Sequence, residues 1–448
     1  MTAFVNDLVA KYSSPAPRYT SYPPVPAWTS KVGPAEYRKA LEIAAPDPGE
    51  PLSLYLHLPF CPRRCLYCGC NVTITRRRSA LDTYLDRLAQ ELDLIVGILG
   101  RGRRVVQLHL GGGTPNYLDD DELWRLRGTL DDRFILASDA DTAIEADPRL
   151  SGAEQLSRLR AIGFRRISFG VQDLDPDVQR AIGRVQPAEQ VRRAVDEARA
   201  AGFEGINVDL VYGLPEQTPE RFRRTMAAIV ALEPDRVACF GYAHVPAMRT
   251  HQRALERYRL PNPAERMTLN RIAIEELTGA GYLWIGLDHF ARPGDALARA
   301  ALDRRLHRNF NGYTTSPAAH LIAVGSSAIG EVGGWLLQND SNLVGWHEAI
   351  AREDFATVRG HRMTEDDYRR AAAIRSLMCN LELPLHLAQG LGESLEQLLR
   401  FEEDGLVERR STTVAVTSLG RYFLRTLCTA FDAYLPEHAP TRPFSTAV

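Results

Sequence analysis

The feature that most limits how this chain can fold is an alternation of strand-like and helix-like stretches between residue 51 and about residue 245. Short apolar runs alternate with longer runs of helical period, which is typical of βα units whose parallel strands are joined by right-handed crossovers. Six units rather than eight favour an α/β fold with a partial (β/α)6 parallel barrel, whose chemistry collects at the carboxyl ends of the strands. The six strands are predicted at residues 52–58, 105–110, 142–145, 166–170, 205–211 and 237–242.

Four of the seven cysteines lie close together, directly after the first predicted strand: Cys61, Cys65, Cys68 and Cys70. The first three have the spacing C-x3-C-x2-C. Thiolates this close on one loop can hold three irons of a [4Fe-4S] cluster and leave the fourth iron open to a small molecule. The alternative is a structural zinc site that uses all four cysteines, although Cys68 and Cys70 are too close in sequence to bind one tetrahedral metal comfortably.

Polar or glycine residues mark the ends of the next predicted strands. Gly111, Gly112 and Gly113 follow the second strand, and three consecutive glycines allow backbone groups to approach a ligand closely. Glu145 ends the third strand, where a carboxylate can accept hydrogen bonds from a ribose or an amine. Asp209 lies inside an apolar strand, so it needs either a cationic or hydroxyl-rich ligand or a structural salt bridge.

Composition limits the classes of partner. With 448 residues, 45% of them apolar and 25% charged, the chain is long enough for one large catalytic domain and a smaller one. A net charge of −2 and scattered arginines give no case for nucleic acid binding, and no apolar run is long enough for a membrane span. The odd cysteine count, with four thiols clustered and no secretory signal, favours a reducing cytoplasm.

Four regions are predicted along the chain: an N-terminal arm and helix (1–50), the barrel (51–245), an extension that completes the pocket (246–360) and a mostly helical, winged-helix-like domain (361–448). The last region is interpreted as a lid over the barrel, because no basic face marks it as a reader of nucleic acid.

The arm, residues 13–24, is rich in proline and tyrosine and therefore favours extended backbone. It is either a flexible tail or a lid across a pocket, with Arg18 and Tyr19 as its candidate contacts. The extension places His, Arg and Asn among aromatic residues, a set suited to gripping carboxylates on a flat apolar ring. Its candidates are His289, Arg292, His307 and Arg308.

The string YLHLPFCPRRCLYCGCN, with Tyr67 before the last cysteine of the motif, resembles the radical S-adenosylmethionine (SAM) enzymes. With its fourth cysteine, and with GGGTPNYL, AIEADPR, NVDLVYGLP and DHFARP in order, the chain resembles their oxygen-independent coproporphyrinogen III oxidase family from residue 13 to about residue 445. The resemblance implies a partial barrel of the radical SAM type, a [4Fe-4S] cluster on Cys61, Cys65 and Cys68, and two molecules of SAM.

The resemblance also implies roles for individual residues. Cys70 and Tyr55 would be catalytic. The first SAM would contact Tyr55, Tyr67, Gly112, Glu145 and Ile329, and the second would contact Gly113, Thr114, Gln172, Arg184, Asp209 and Ala243. Asn311 stands where the family has Gln, which shortens a possible hydrogen-bonding arm at the second SAM.

The activity implied by the resemblance is oxidative decarboxylation of two propionates of coproporphyrinogen III, which gives the two vinyl groups of protoporphyrinogen IX. The expected enzyme is a monomer that receives electrons from a one-electron reductant such as flavodoxin or ferredoxin. Related haem-binding chaperones and haem-modifying radical SAM methyltransferases are the alternatives. The chaperones typically lack the fourth cysteine and the N-terminal arm, and the methyltransferases lack much of this N-terminal context.

Overall fold

A computed structural model of the protein describes residues 2–12 and 15–435. Ser13 and Ser14, at the start of the predicted arm, and residues 436–448, at the end of the predicted C-terminal domain, lie outside the described residues. The helices are α1 (Thr2–Tyr12), α2 (Pro34–Ala44), α3 (Arg78–Leu99), α4 (Asp120–Asp131), α5 (Ala153–Ile162), α6 (Pro176–Ala181), α7 (Ala188–Ala200), α8 (Pro219–Val230), α9 (Pro263–Gly279), α10 (Ala296–Leu302), α11 (Leu343–Ala351), α12 (Glu365–Asn380), α13 (Gly392–Leu399) and α14 (Leu424–Cys428).

The strands form one large sheet and three small ones. They are β1 (Leu52–Leu58), β2 (Phe60–Cys61), β3 (Thr73–Ile74), β4 (Arg103–Gly112), β5 (Phe134–Ala146), β6 (Arg166–Gln172), β7 (Gly205–Tyr212), β8 (Arg236–Gly241), β9 (Leu283–Gly286), β10 (His289–Ala291), β11 (His307–Asn309), β12 (Gly312–Thr314), β13 (His320–Val324), β14 (Ile329–Val332), β15 (Trp335–Asn339), β16 (Thr357–Arg362), β17 (Glu382–Pro384), β18 (Val407–Arg409) and β19 (Thr413–Val416).

The large sheet has twelve strands in the order β16-β15-β14-β13-β1-β4-β5-β6-β7-β8-β10-β9. The strands from β13 to β8 in that order run parallel, and the remaining strands extend the two ends in antiparallel fashion. Within the described residues the two end strands do not pair with each other, so the sheet is open. The predicted α/β fold with a partial parallel barrel is therefore confirmed.

The parallel part of the sheet has one strand more than the six predicted. That strand is β13, which pairs with β1 from Leu52↔His320 to Leu56↔Val324. It belongs to the extension and is far from β1 in the sequence, so the local alternation of strands and helices does not predict it. The extension and the barrel thus share one sheet.

Glu91 on α3 fixes the loop after β13 to the barrel. This fully buried carboxylate accepts hydrogen bonds from the Gly325 N–H (2.8 Å), Asn339 Nδ2 (2.6 Å) and Trp346 Nε1 (3.1 Å). Burial raises the pKa of Glu91 to about 7, although the three donors act in the opposite direction. Removing the carboxylate would leave three buried donors unpaired, each at a cost of about 1–3 kcal/mol.

The C-terminal region is built from α12, α13 and α14 around a three-stranded sheet, β17-β19-β18. The sequence predicts one last helix over residues 420–434, but the structure has only the short α14 between two 3-10 turns. The Thr429 hydroxyl donates to the carbonyl of Thr426 at 2.6 Å, a local bond that competes with the helical hydrogen-bond ladder. The helical segment is therefore shorter than its pattern suggests.

The arm packs against this C-terminal region rather than lying free. Tyr19 and Tyr22 are buried, in the same apolar cluster as Leu427 and Phe431. The Tyr19 hydroxyl donates to Asp432 Oδ2 at 3.0 Å. The arm is therefore no flexible tail at these residues, because its tyrosine rings contribute apolar area to the core while their hydroxyl groups find partners.

No helix in the described part of the chain is long and apolar enough to cross a membrane.

Candidate active site

A cavity of about 290 Å³ opens at the carboxyl ends of the parallel strands, beside the cysteine loop. Its walls come from the loop that follows β1 and from the ends of β4, β5, β6, β7 and β8 with the loops after them, as expected for a barrel of this kind. The cavity brings together most of the residues that the sequence singles out: Cys61, Cys65, Tyr67, Cys68, Cys70, Gly112, Gly113, Thr114, Glu145, Gln172, Arg184 and Asp209.

Hydrogen bonds from a distant 3-10 turn (Thr250–Leu255) and its flank hold the cysteine loop. Arg249 Nε donates to the Gly69 carbonyl at 2.9 Å, His251 Nε2 to the Cys68 carbonyl at 2.8 Å, and Gln252 Nε2 to the Tyr67 carbonyl at 2.9 Å. Sequence reasoning missed these three residues, because no local pattern links them to a loop about 180 positions away. They fix the backbone of the loop and leave its thiol groups turned to the cavity.

Two of the motif thiols accept hydrogen bonds. Thr114 Oγ1 donates to Cys61 Sγ at 3.2 Å, and Arg184 Nη1 donates to Cys65 Sγ at 3.5 Å. Arg184 is buried and also pairs with Asp147 at 3.2 Å. Burial raises the pKa of Cys61 to about 11, and donors of this kind favour the thiolate that a metal cluster requires.

Three soft thiol ligands on one cavity wall, with donors to their sulfurs, fit a [4Fe-4S] cluster. Among the described residues, no three His, Cys, Asp or Glu side chains are arranged to hold a single metal ion.

The glycines after β4 are needed for packing as well as for any ligand. Gly112 has φ +114°, and a Cβ added there would lie 2.6 Å from the His57 ring. A Cβ at Gly113 would lie 2.7 Å from the backbone of Pro59 and Phe60. Strand β4 therefore meets the end of β1 at a distance that only glycine permits.

We expect Gly112→Val to lower the free energy of unfolding by about 3 kcal/mol, since it combines a clash with an unfavourable φ. A fall in SAM affinity in this variant would therefore not by itself identify Gly112 as a SAM contact. Urea denaturation checks the prediction, with Gly294→Val as the control because Gly294 has open space around it. Equal stability of the two variants would contradict it.

Glu145 is an ionised acceptor at the cavity wall. The Gly112 N–H donates to its Oε2 at 3.0 Å, and His109 Nε2 lies 3.3 Å from its Oε1. Burial acts to raise the pKa of Glu145, but these hydrogen bonds outweigh it and lower the pKa below the ordinary value. The carboxylate is therefore fixed, charged and able to accept further hydrogen bonds from a ligand.

Asp209 separates the first cavity from a second one of about 190 Å³ inside the barrel, and it lines both. Ser168 Oγ donates to Asp209 Oδ2 at 2.7 Å and Asn207 Nδ2 to Oδ1 at 2.8 Å. Burial, followed by repulsion from Glu145, raises the pKa of Asp209 to about 6. No cationic side chain in the described residues pairs with Asp209, so a structural salt bridge does not account for it.

Gln172 adopts φ +69° at the end of β6, a conformation that costs a non-glycine residue about 1–3 kcal/mol. It lines the first cavity beside Arg184, whose Nη2 donates to the Gly170 carbonyl at 2.6 Å. Strain of this kind persists where the surroundings fix it, often at a binding site.

Three predicted SAM contacts are not among the residues that line the cavity. Tyr55 lies behind it, stacked on His109 with 5.8 Å between ring centroids. Ala243 accepts a hydrogen bond from the turn that holds the cysteine loop. Ile329 packs in a buried apolar cluster with Trp28.

The predicted substrate contacts divide into separate places. His289 lines the second cavity with Asn311, and burial followed by repulsion from Arg308 lowers the pKa of His289 to about 3. Arg308 donates to the Tyr19 carbonyl at 3.3 Å, so it holds the arm. His307 lies in the β11–β12 hairpin and lines neither of these two cavities.

The sequence suggested Arg18 as a contact for a ligand, but in the structure its guanidinium group already has a carboxylate partner. It forms an ion pair with Asp288, and its guanidinium carbon lies 5.3 Å from the ring centroid of Phe240. Phe240 lines both cavities, so the arm reaches the mouth of the barrel at this residue.

Arg292 is not a contact of this site. It follows β10, which runs antiparallel to β8, so it lies beside the amino end of β8. There it pairs with Glu233 at 3.2 Å and lines a different cavity. Within the string DHFARP, His289 therefore lines the second cavity, whereas Arg292 lies at the opposite end of β8.

Comparison with known proteins shows which family has this sequence and fold. Residues 55–229 match the family described as the Radical SAM superfamily. The chain is 40% identical to the oxygen-independent coproporphyrinogen III oxidase of Escherichia coli strain K12, with 98% of each chain covered, and 40% identical to that of Pseudomonas aeruginosa, with 96% of each covered. The solved coproporphyrinogen III oxidase HemN from E. coli, a radical SAM enzyme, superposes with a TM-score of 0.88 at 40% identity and covers 93% of this chain and 98% of its own. The chain therefore belongs to the oxygen-independent coproporphyrinogen III oxidase family of the radical SAM enzymes.

Proposed function

We propose that this protein converts coproporphyrinogen III to protoporphyrinogen IX without oxygen, by oxidative decarboxylation of two propionate side chains. The observation that carries the proposal is the single cavity in which the three motif cysteines meet Glu145, Arg184 and the glycine run, in a chain 40% identical over 98% of its length to named coproporphyrinogen III oxidases. As a radical SAM enzyme, it uses a [4Fe-4S] cluster and SAM.

Cys61, Cys65 and Cys68 would hold the cluster, and Cys70 and Tyr55 are proposed as further catalytic residues. When bound, the cluster and SAM supply a carbon radical that can remove a hydrogen atom from an unactivated C–H bond. The chain's own residues position and shield this chemistry: Arg184 and Thr114 donate to cysteine sulfurs, and Glu145 offers an ionised oxygen to an amine or hydroxyl. Burial raises the pKa of Tyr55, so its phenol stays protonated and can donate.

We propose two SAM molecules. The residues assigned to the second one, Gly113, Thr114, Gln172, Arg184 and Asp209, line the same cavity as Glu145, and a second cavity adjoins it through Asp209. The shorter Asn311 also lines that second cavity.

The proposed setting is a monomer in the cytoplasm, reduced by a one-electron donor such as flavodoxin or ferredoxin. The cysteines of the described residues are all free thiols, which fits a reducing compartment.

Anaerobic incubation of the reconstituted protein with SAM, a reductant and coproporphyrinogen III tests the activity. We expect protoporphyrinogen IX and loss of two carboxyl groups from each substrate molecule. Haem binding without decarboxylation would favour the chaperone instead, and methyl transfer to haem would favour the methyltransferase.

A further inference from the structure

A separate, cationic cavity lies where the arm, the barrel and the C-terminal region meet. Its volume is about 30 Å³, enough for a carboxylate group but not for a macrocycle. Among the described residues that line it are four arginines and a single carboxylate, Asp288. The four arginines are Arg18, Arg266, Arg421 and Arg425.

Arg266 and Arg421 have no counter-charge within the part of the chain that the structure describes. Arg18 pairs with Asp288, and Arg425 donates to the carbonyls of Ala16 and Pro17. Arg266 and Arg421 have no carboxylate within ion-pair distance in the described part of the chain, and the Nε of each is buried without a hydrogen-bond partner. Buried cationic donors of this kind are costly unless an anion accepts from them.

The structure holds the two guanidinium groups in place. Arg421 donates to the Trp284 carbonyl and lies 4.0 Å from the centroid of the Trp284 ring. The Arg266 side chain passes Gly213, where an added Cβ would lie 3.3 Å from its Cγ. Burial lowers the pKa of Arg421 to about 10.

This cationic cavity is next to the candidate active site. Gly241, on its wall, follows Phe240, which lines both central cavities. Arg18 spans the two places, since it lies over the Phe240 ring and lines the cationic cavity. A side chain a few bonds long could therefore reach from the barrel mouth into the cationic cavity.

We propose that the cavity lined by Arg266 and Arg421 binds a carboxylate of the substrate, through charge-assisted hydrogen bonds that hold the tetrapyrrole in the barrel mouth. The inference rests on the proposed function, because coproporphyrinogen III supplies the propionates. Guanidinium forks match planar carboxylates well. The arm and the C-terminal region then take part in binding, since each contributes an arginine to the cavity.

The test measures binding rather than turnover. Coproporphyrin III, the oxidised and unreactive tetracarboxylate, is titrated into the anaerobically reconstituted holoenzyme and followed by its fluorescence. We expect Arg266→Gln and Arg421→Gln each to weaken binding about tenfold or more. Arg266→Lys, which keeps the charge but loses the fork, should lie between. Arg271→Gln on the same helix should bind as the wild type does, because Arg271 pairs with Glu275 at the surface.

Two further measurements separate the sources of the anion. The tetramethyl ester of coproporphyrin III should bind the wild type weakly and be insensitive to the two Gln substitutions. Wild-type affinity for coproporphyrin III in both Gln variants would overturn the proposal. A second result would also overturn it: inorganic phosphate stabilises the wild type against heat, both Gln variants lose that stabilisation, and their affinity for coproporphyrin III is unchanged. The cavity would then bind a free anion rather than the substrate.

Formation of protoporphyrinogen IX by the wild type tests the proposed function separately from the cavity assignment. Arginine-dependent porphyrin binding without any protoporphyrinogen IX from the wild type would overturn the decarboxylation and support the cavity assignment. Full turnover with arginine-independent binding would overturn only the cavity assignment.

Discussion

We expect serine in place of Cys61, Cys65 or Cys68 to abolish the iron–sulfur absorption of anaerobically reconstituted protein and, with it, all decarboxylation. The three thiols line one cavity wall on a loop whose backbone is fixed at Tyr67, Cys68 and Gly69. Because these hydrogen bonds hold the loop in place, we expect loss of one thiolate to leave an iron without a protein ligand. Absorption spectra and iron content, measured before any activity assay, check the prediction.

Cys70→Ser is the matched control, since Cys70 lies on the same loop outside the three-cysteine motif. It should keep the cluster and lose turnover. A full cluster in the Cys68→Ser variant, or zinc in place of iron in the wild type, would contradict the assignment.

The sequence predicts those strands of the barrel whose apolar pattern is contained within the strand itself. The first strand, predicted at residues 52–58, matches β1 (Leu52–Leu58), because its apolar alternation is uninterrupted. The third was predicted at residues 142–145, whereas β5 covers Phe134–Ala146. Its first half carries the polar run Ser138-Asp139, which faces solvent and hides the strand pattern. β13 could not be inferred at all, since its pairing with β1 depends on the folded sheet.

The same division applies to the candidate site. That the cysteines and Glu145 lie at one cavity could be inferred from residue type and from the strand end that each follows. The hydrogen bond from His251 to the cysteine loop and the carbonyl contacts of Arg425 with the arm join segments far apart in sequence. Such side chain–backbone contacts leave no periodicity, so they become visible only in the structure.

The second prediction with a large expected effect concerns release of the N-terminal arm from the mouth of the barrel. Tyr19 and Tyr22 anchor it to the C-terminal region, the first through Asp432 and the second by accepting from the Ala433 N–H at 3.0 Å. Between these anchors and the barrel, Arg18 lies over Phe240 at the mouth of the cavities. Deleting residues 1–25 would also remove α1, which belongs to the same apolar cluster, so substitution of the anchors is the sharper experiment.

We expect the Tyr19→Ala/Tyr22→Ala variant to keep the cluster and SAM binding but to release the arm. Truncating a buried aromatic residue costs about 3 kcal/mol, and about 1.4 kcal/mol already changes a closed-to-open ratio tenfold. The open mouth admits solvent to the radical, so the protoporphyrinogen IX formed per SAM cleaved should fall about tenfold or more. Trypsin should also cut at Arg18 faster than in the wild type.

Tyr12→Ala separates release of the arm from general loosening of the C-terminal region. Tyr12 is on α1 and packs on Phe401 and Phe423, with ring centroids 5.4 and 5.8 Å away, so its loss weakens the same cluster without touching the anchors of the arm. We expect Tyr12→Ala to be less stable but to keep the wild-type ratio of product to SAM cleaved, because the arm still covers the mouth. Coupled turnover in the double variant, or equal uncoupling in Tyr12→Ala, would show that the arm serves the stability of the fold and does not shield the radical.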